Sequence, residues 1–219
     1  MSRRVTLALL VLTLVLVAGC AGGGGDEAAD SPPLTGTAAP ATLDPAVRND
    51  TGYAERRADT SQLNTTITAS IQGDVTLRTT RKATVTAARR VYVRPSSAGP
   101  AVVALYSVPA VEPFENADLR KNPAGALSRA ALVTHSQSVY ADVRDVSQVG
   151  SRSVTLLGNE TTLARYRATA TRNGSSTTVT AAVATVRHRG DYVTVVAVTP
   201  RGVETPFARL LGAVRHAEK

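Results

Sequence analysis

Residues 161–187 read TTLARYRATATRNGSSTTVTAAVATVR. Two alternating β runs, Thr161–Thr171 and Thr177–Arg187, flank Arg172-Asn173-Gly174-Ser175. Asn-Gly suits a two-residue turn in which both central residues take positive φ, so the stretch reads as a β-hairpin. The pattern continues outward on both sides. Arg189-Gly190-Asp191 makes the next turn, and Tyr192–Val198 reads as a buried strand. Upstream, Ser153–Leu157 is a strand ending at Gly158, with a short strand near Tyr140–Val146 before it. Leu63–Ile71 alternates as a half-buried strand should, Val75–Val93 is a second long β region, and Pro95–Pro100 is a turn cluster. Ala101–Val108 is almost wholly apolar, which predicts a central strand. Two segments read as helices. One is Ala124–Val139, with Leu127, Ala130, Ala131 and Thr134 on one face. The other is capped by Thr205, has Pro206 at its first position, and carries the stripe Phe207, Leu210, Leu211, Val214. The expected fold class is α+β: an antiparallel β-sheet with two packed helices, an α/β sandwich.

Composition agrees with a β-rich core of small aliphatic residues. The 219-residue chain has no Trp, two Phe and six Tyr, so Val, Leu, Ala and Ile must fill the interior. No internal repeat is evident.

The N-terminus reads as an address. Arg3 and Arg4 precede an apolar run, Val5–Ala18, and then Val17-Ala18-Gly19-Cys20, which has the form of a lipobox. About 14 helical residues reach roughly 21 Å, short of a bilayer core of about 30 Å, as expected of a signal segment. Cys20 is the only cysteine, so no disulfide forms within the chain and its thiol is the expected lipid acceptor. Stable attachment calls for two acyl chains or a second contact. Ser2-Arg3-Arg4 leaves both the general and the twin-arginine export routes open. Residues 21–47 carry Gly22–Gly25, four prolines and no aromatic residue, the composition of a tether. The expected organisation is a signal peptide at 1–19, a lipidated Cys20 with a disordered tether to 47, and one globular domain over 48–219. The expected location is the outer face of the cytoplasmic membrane.

Charge narrows the partners. The chain carries +8; without Arg3, Arg4 and the acids Asp26, Glu27, Asp30 and Asp44, residues 48–219 carry about +10. That balance favours an acidic envelope surface or protein partner. Nucleic acid is a poor fit, because no cluster of aromatic and basic residues appears and the address is extracellular.

Most catalytic signatures are absent. His135, His188 and His216 lie far apart in sequence with no cysteine partner, so no metal or other cofactor is expected; each reads as a surface or helix-end residue. There is no Gly-x-Ser-x-Gly, and Gly22–Gly25 lacks the Gly-Lys-Ser/Thr ending of a phosphate loop. The irregular segment Pro109–Pro123 holds Glu112, Phe114, Glu115 and Asp118. It is the expected partner loop, since loops on rigid scaffolds carry function. Its carboxylates also allow an alternative, acid–base work in a surface hydrolase or carbohydrate-active enzyme. Asn49, Asn64, Asn159 and Asn173 open Asn-x-Ser/Thr sequons and are candidate N-glycosylation acceptors.

Several short runs carry a resemblance. They are Gly52-Tyr53, Ala104–Val111, Asn122-Pro123, Val154–Thr161 and Gly190-Asp191-Tyr192-Val193. In this order the chain resembles a family of haloarchaeal surface lipoproteins built on a domain of unknown function. The closing hairpins and helix are more faintly similar to the PsbP-type α/β sandwich of exported accessory proteins. The resemblance implies a partner-binding domain and supplies no catalytic residue. Three functions follow as expectations: a lipid-anchored, non-catalytic binding or accessory module of the envelope; the hydrolase alternative; and a structural spacer of the surface layer.

Overall fold

The computed structural model describes residues 31–115 and 117–218. In chain order its strands are β1 Leu34–Thr37, β2 Ala41–Leu43, β3 Ala54–Ile71, β4 Leu77–Arg94, β5 Ala101–Pro109, β6 Asp142–Leu156, β7 Asn159–Arg172, β8 Ser175–His188, β9 Asp191–Pro200 and β10 Val214–His216. Three short helices, α1 Pro45–Asp50, α2 Arg129–Ser136 and α3 Phe207–Gly212, accompany them. Strands hold 59% of the described residues and helices 13%, so the fold is mostly β. The expected α+β sandwich with two packed helices, and with it the PsbP-type architecture, is overturned.

The physical reason lies in the caps. The expected helix over Ala124–Val139 begins as a 3-10 turn, Pro123–Ala126, where Asn122 Oδ1 accepts the N–H of Ala124 at 3.0 Å. Ser128 then restarts the backbone, its Oγ accepting from Ala131 N at 3.1 Å. Buried Gln137 ends α2. Its Oε1 accepts the N–H groups of Val139 and Tyr140 at 2.7 and 2.8 Å, and its Nε2 donates to Tyr140 O at 2.8 Å. These bonds substitute for a further helical turn. The C-terminal helix is equally short. Thr205 does not cap it; the hydroxyl pairs with Thr199 Oγ1 at 2.9 Å, and Pro206 takes the N-cap position. Val214, the last member of the expected stripe, lies in β10, because the chain leaves α3 to pair with β2.

The main sheet is a mixed one of eight strands: seven run β3-β4-β5-β9-β8-β7-β6 with every neighbour antiparallel, and β1 adds a short parallel pairing to β4. Type I′-like pairs of positive φ close three successive hairpins: Leu157/Gly158 at 49° and 79°, Asn173/Gly174 at 50° and 77°, Arg189/Gly190 at 51° and 83°. β5 covers β4 from Ala88 to Arg94 and stops at Pro109. There β1 takes over, parallel to β4 from Ala83 to Thr86. Gly36 permits the handover: a Cβ at that position would stand 3.1 Å from Pro109 Cβ. β1, β2 and the start of α1 therefore belong to the domain, whereas the sequence reads as tether up to residue 47.

Both faces of the central strands are covered. Val102, Ala104, Tyr106 and Val108 of β5 join one core with α2. Ala101, Val103 and Leu105 join the other, beneath β2, α3 and β10. The period of two along β5 and β9 divides the residues between the cores. The edges differ. β6 is largely exposed and carries two bulges, between Arg144/Ser147 and Gln148/Gly150, which merge the two short strands expected here into one. On the opposite edge Asp59 of β3 faces Arg89 of β4. Arg89 donates from Nε to Asp59 Oδ1 at 2.9 Å and from Nη2 to Oδ2 at 2.7 Å, while Nη1 donates to His135 O at the end of α2 at 2.8 Å. This fork holds the Asp59 carboxyl down to about 2.

Candidate functional site

The expected partner loop is a salt-bridged surface segment. Val111 and Lys121 pinch it closed with two backbone bonds, Val111 N to Lys121 O at 3.1 Å and Lys121 N to Val111 O at 2.9 Å. Arg120 then reaches Glu112 Oε1 at 2.6 Å and Asp118 Oδ1 at 3.5 Å. Glu112, Glu115 and Asp118 are exposed and Phe114 is half-buried. Two of the three carboxylates therefore serve one arginine, and none of the three lines either cleft described next.

A different acid is buried. Asp191 opens β9 opposite His188, the last residue of β8. Its Oδ2 accepts the N–H of Ala39 at 2.8 Å and lies 3.3 Å from His216 Nε2. His216 ends β10 and is brought here by the β2–β10 pairing. Its Nε2 also stands 3.3 Å from Ala39 O. A carboxylate and a carbonyl both accept, so this nitrogen carries the proton. On the other side of the ring, His216 Nδ1 meets His188 Nδ1 at 3.0 Å, with the rings edge to face and 5.3 Å apart. The neutral pair is thereby ordered: His188 Nδ1–H donates to His216 Nδ1, and the lone pair of His188 is left on Nε2. Burial, reinforced by the positive charge of His216 when protonated and by Arg189, holds the His188 imidazole below its ordinary value.

His188 and His216 line a cleft of about 890 Å³ between the end of the β6–β7 hairpin and the α3–β10 corner. Arg152, Arg189 and Arg215 line it as well, with Leu157 and Leu211 as apolar wall. Arg189 pairs with Glu218 at 3.1 Å and Arg215 with Asp44 at 3.4 Å. The sequence expectation of three scattered histidines holds only for His135, at the end of α2; His216 sits in a strand, not at a helix end. No local pattern announces the pairing, because β10 returns to β2 across nearly the whole domain.

A second cleft, of about 730 Å³, adjoins α3 on its other side. Arg94, Arg152, Arg165 and Arg201 line it, with Thr180 and Thr199 on the floor. Thr180 and Thr199 are direct partners across β8 and β9. Arg94 donates from Nη2 to Glu204 O and stacks 5.4 Å from the Tyr53 ring. Among the described residues, Arg152, Arg165 and Arg201 form no ion pair. The alternation Leu163, Arg165 along β7 places the arginine on the α3 side of the sheet, a signal present in the sequence and not used there.

Among the described residues no group of three or more His, Cys, Asp or Glu is arranged to hold a metal ion. The four sequon asparagines, Asn49, Asn64, Asn159 and Asn173, are all exposed. Cys20 and the rest of the expected signal segment lie outside the described residues.

A family profile described as a domain of unknown function, DUF6517, matches residues 40–217. The chain belongs to the DUF6517 family. No curated protein and no solved structure matches it. The DUF6517 match begins one residue before β2 and ends one after β10, so the pairing of the domain's two ends falls within it. Both clefts are built from residues inside the DUF6517 match.

Proposed function

We propose that this DUF6517 protein is a lipid-anchored, non-catalytic binding module of the cell envelope, a surface lipoprotein of haloarchaeal type exported and held through Cys20. Its domain holds an anionic envelope component in the arginine cleft beside α3. The lipobox and apolar leader support the anchoring, and no described helix is long and apolar enough to cross a membrane. One observation carries the binding reading. Arg152, Arg165 and Arg201 converge on a single concave surface with hydroxyls at its floor, and Glu204, the acid that lines the same surface, forms no ion pair with them among the described residues. Like charges held together raise the local potential, and a polyanion offsets it with bidentate hydrogen bonds from the planar guanidinium groups. The hydrolase alternative would need two carboxylates facing each other across a cleft; Glu112 and Asp118 are joined through Arg120 instead.

The test is binding of the full chain, in detergent, to a carboxylated polysaccharide. The double variant Arg165→Gln/Arg201→Gln should weaken binding by about tenfold or more, since each charged hydrogen bond contributes about 1.5–3 kcal/mol before solvent screening. Unchanged affinity in the double variant would remove this cleft from the function. In parallel, Cys20→Ser should release the protein from membranes with its fold intact; a variant that still resists carbonate extraction would overturn the lipid anchor.

A further inference from the structure

We propose that the His188 cleft is a second binding site, adjoining the arginine cleft and sharing only Arg152 with it, for a small oxyanion of the carboxylate, phosphate or sulfate class, and that the anion enters together with one proton taken up by His188. The buried hydrogen-bond chain has a fixed order. Asp191 and the Ala39 carbonyl hold the proton of His216 on Nε2, so His216 Nδ1 is the acceptor for His188 Nδ1–H. His188 can then be protonated on Nε2 without breaking any bond in the chain. The imidazolium would keep its bond to His216, and Asp191 would stand behind that ring as the counter-charge.

The empty cleft opposes that proton. Three guanidinium groups face it: Arg152 from β6, Arg189 from the β8–β9 turn and Arg215 from β10. The acids nearest to them, Glu218 and Asp44, are spent on Arg189 and Arg215. The segment from α3 contributes Ala208, Leu211 and Gly212, which neither titrate nor carry charge. Burial of the ring is the main opposition, the positive charges of a protonated His216 and of Arg189 add to it, and His188 is held below its ordinary value. An oxyanion seated between His188 and the arginines reverses the sign of the local field. It accepts from the protonated His188 and from the guanidinium forks, so anion and proton each favour the other.

Proton linkage fixes the form of the result. Affinity is flat below the titration point of His188 in the empty protein. Above it, affinity falls by up to about tenfold per pH unit until the titration point of the complex is passed. Sulfate is the suitable probe, because it stays dianionic across the range in which histidine titrates, and any pH dependence then belongs to the protein. Isothermal titration of the full chain in detergent, at constant ionic strength, should show sulfate binding that weakens between about pH 5.5 and about pH 8. Histidine ring NMR should show the titration of His188 moving upward on sulfate addition. His188→Gln should flatten the pH profile. Arg189→Asn, which tolerates the positive φ at that turn, should lower affinity about tenfold and keep the slope. Arg165→Gln/Arg201→Gln should leave the profile unchanged, so failure here and failure of the polyanion reading are separate results. The proposal is overturned by sulfate affinity that is equal at both ends of the pH range, by a slope that survives in His188→Gln, or by no binding at millimolar sulfate.

Discussion

Asp191 and the acids of the 112–118 loop represent opposite treatments of a carboxylate. Asp191 has no exposed side-chain surface; a backbone N–H and a histidine meet its Oδ2. Glu112 and Asp118 are 46% and 88% exposed and share one arginine. Grouped in sequence, the loop acids draw attention as a site. Asp191 stands alone at a strand start and reads as part of a turn. Acids close together in a chain repel, and each turns to water or to a cation. A lone acid can be buried when strand register delivers donors to its carboxylate. Spatial convergence, not clustering in sequence, makes a chemical site.

Asp191→Ala should have the largest effect. Removing one partner of a buried pair costs about 3–5 kcal/mol, because His216 Nε2 and the Ala39 N–H lose their acceptor. Chemical denaturation of the full chain should register a loss of that size; a loss below about 1 kcal/mol would erase the distinction between the two settings. Asp59 is the intermediate case, partly exposed and held by the Arg89 fork. Asp59→Asn should cost about 1 kcal/mol at neutral pH after allowance for solvent screening. The sign follows from linkage. The folded carboxyl, at about 2, lies below its unfolded value, so its contribution is present above about pH 4 and is lost as pH falls toward 2. Wild type and variant should therefore converge in stability at the acid end; a gap that stays constant to pH 2 would show that the cost is packing. The smallest effect is expected at Glu112→Gln, about 0–1 kcal/mol and reduced further by high salt. A larger, salt-insensitive loss would mean that the loop is more tightly built than its exposure indicates.

The hairpins were legible because their turns have local chemistry. Asn173-Gly174 demands positive φ, and Gly158 and Gly190 serve the flanking turns in the same way. β5 was legible as a central strand because Ala101–Val108 has no polar face to expose. β6 was not legible as one strand, since its two bulges break the alternation that marks a strand. Residues 34–43 read as tether because small residues and prolines give no periodic signal; burial of Ala38, Ala39, Ala41 and Leu43 comes from docking on other strands. The sequence overextends α2 because the helix-ending role of Gln137 depends on its burial, which sequence alone does not show. The expected site loop was found as a loop, and the histidine pair was missed for the same reason as β1 and β2: it depends on pairings between distant segments.

The closure of β2 on β10 also sets an order of assembly. β3-β4-β5 and β6-β7-β8-β9 are each runs of sequence neighbours, and neighbours with tight turns find each other quickly. The β5–β9 ladder joins them across a longer stretch of chain. The β2–β10 ladder spans the longest, pairing Ala41 with His216 and Leu43 with Val214. A chain emerging from a ribosome cannot form it until β10 is free. Asp191 is in place as soon as β9 docks, and Ala39 comes with the docking of β1 on β4, but His216 reaches it only when β10 pairs with β2. The buried carboxylate is thus the last part of the core to lose its water, and a chain cut just before β10 would leave it wet.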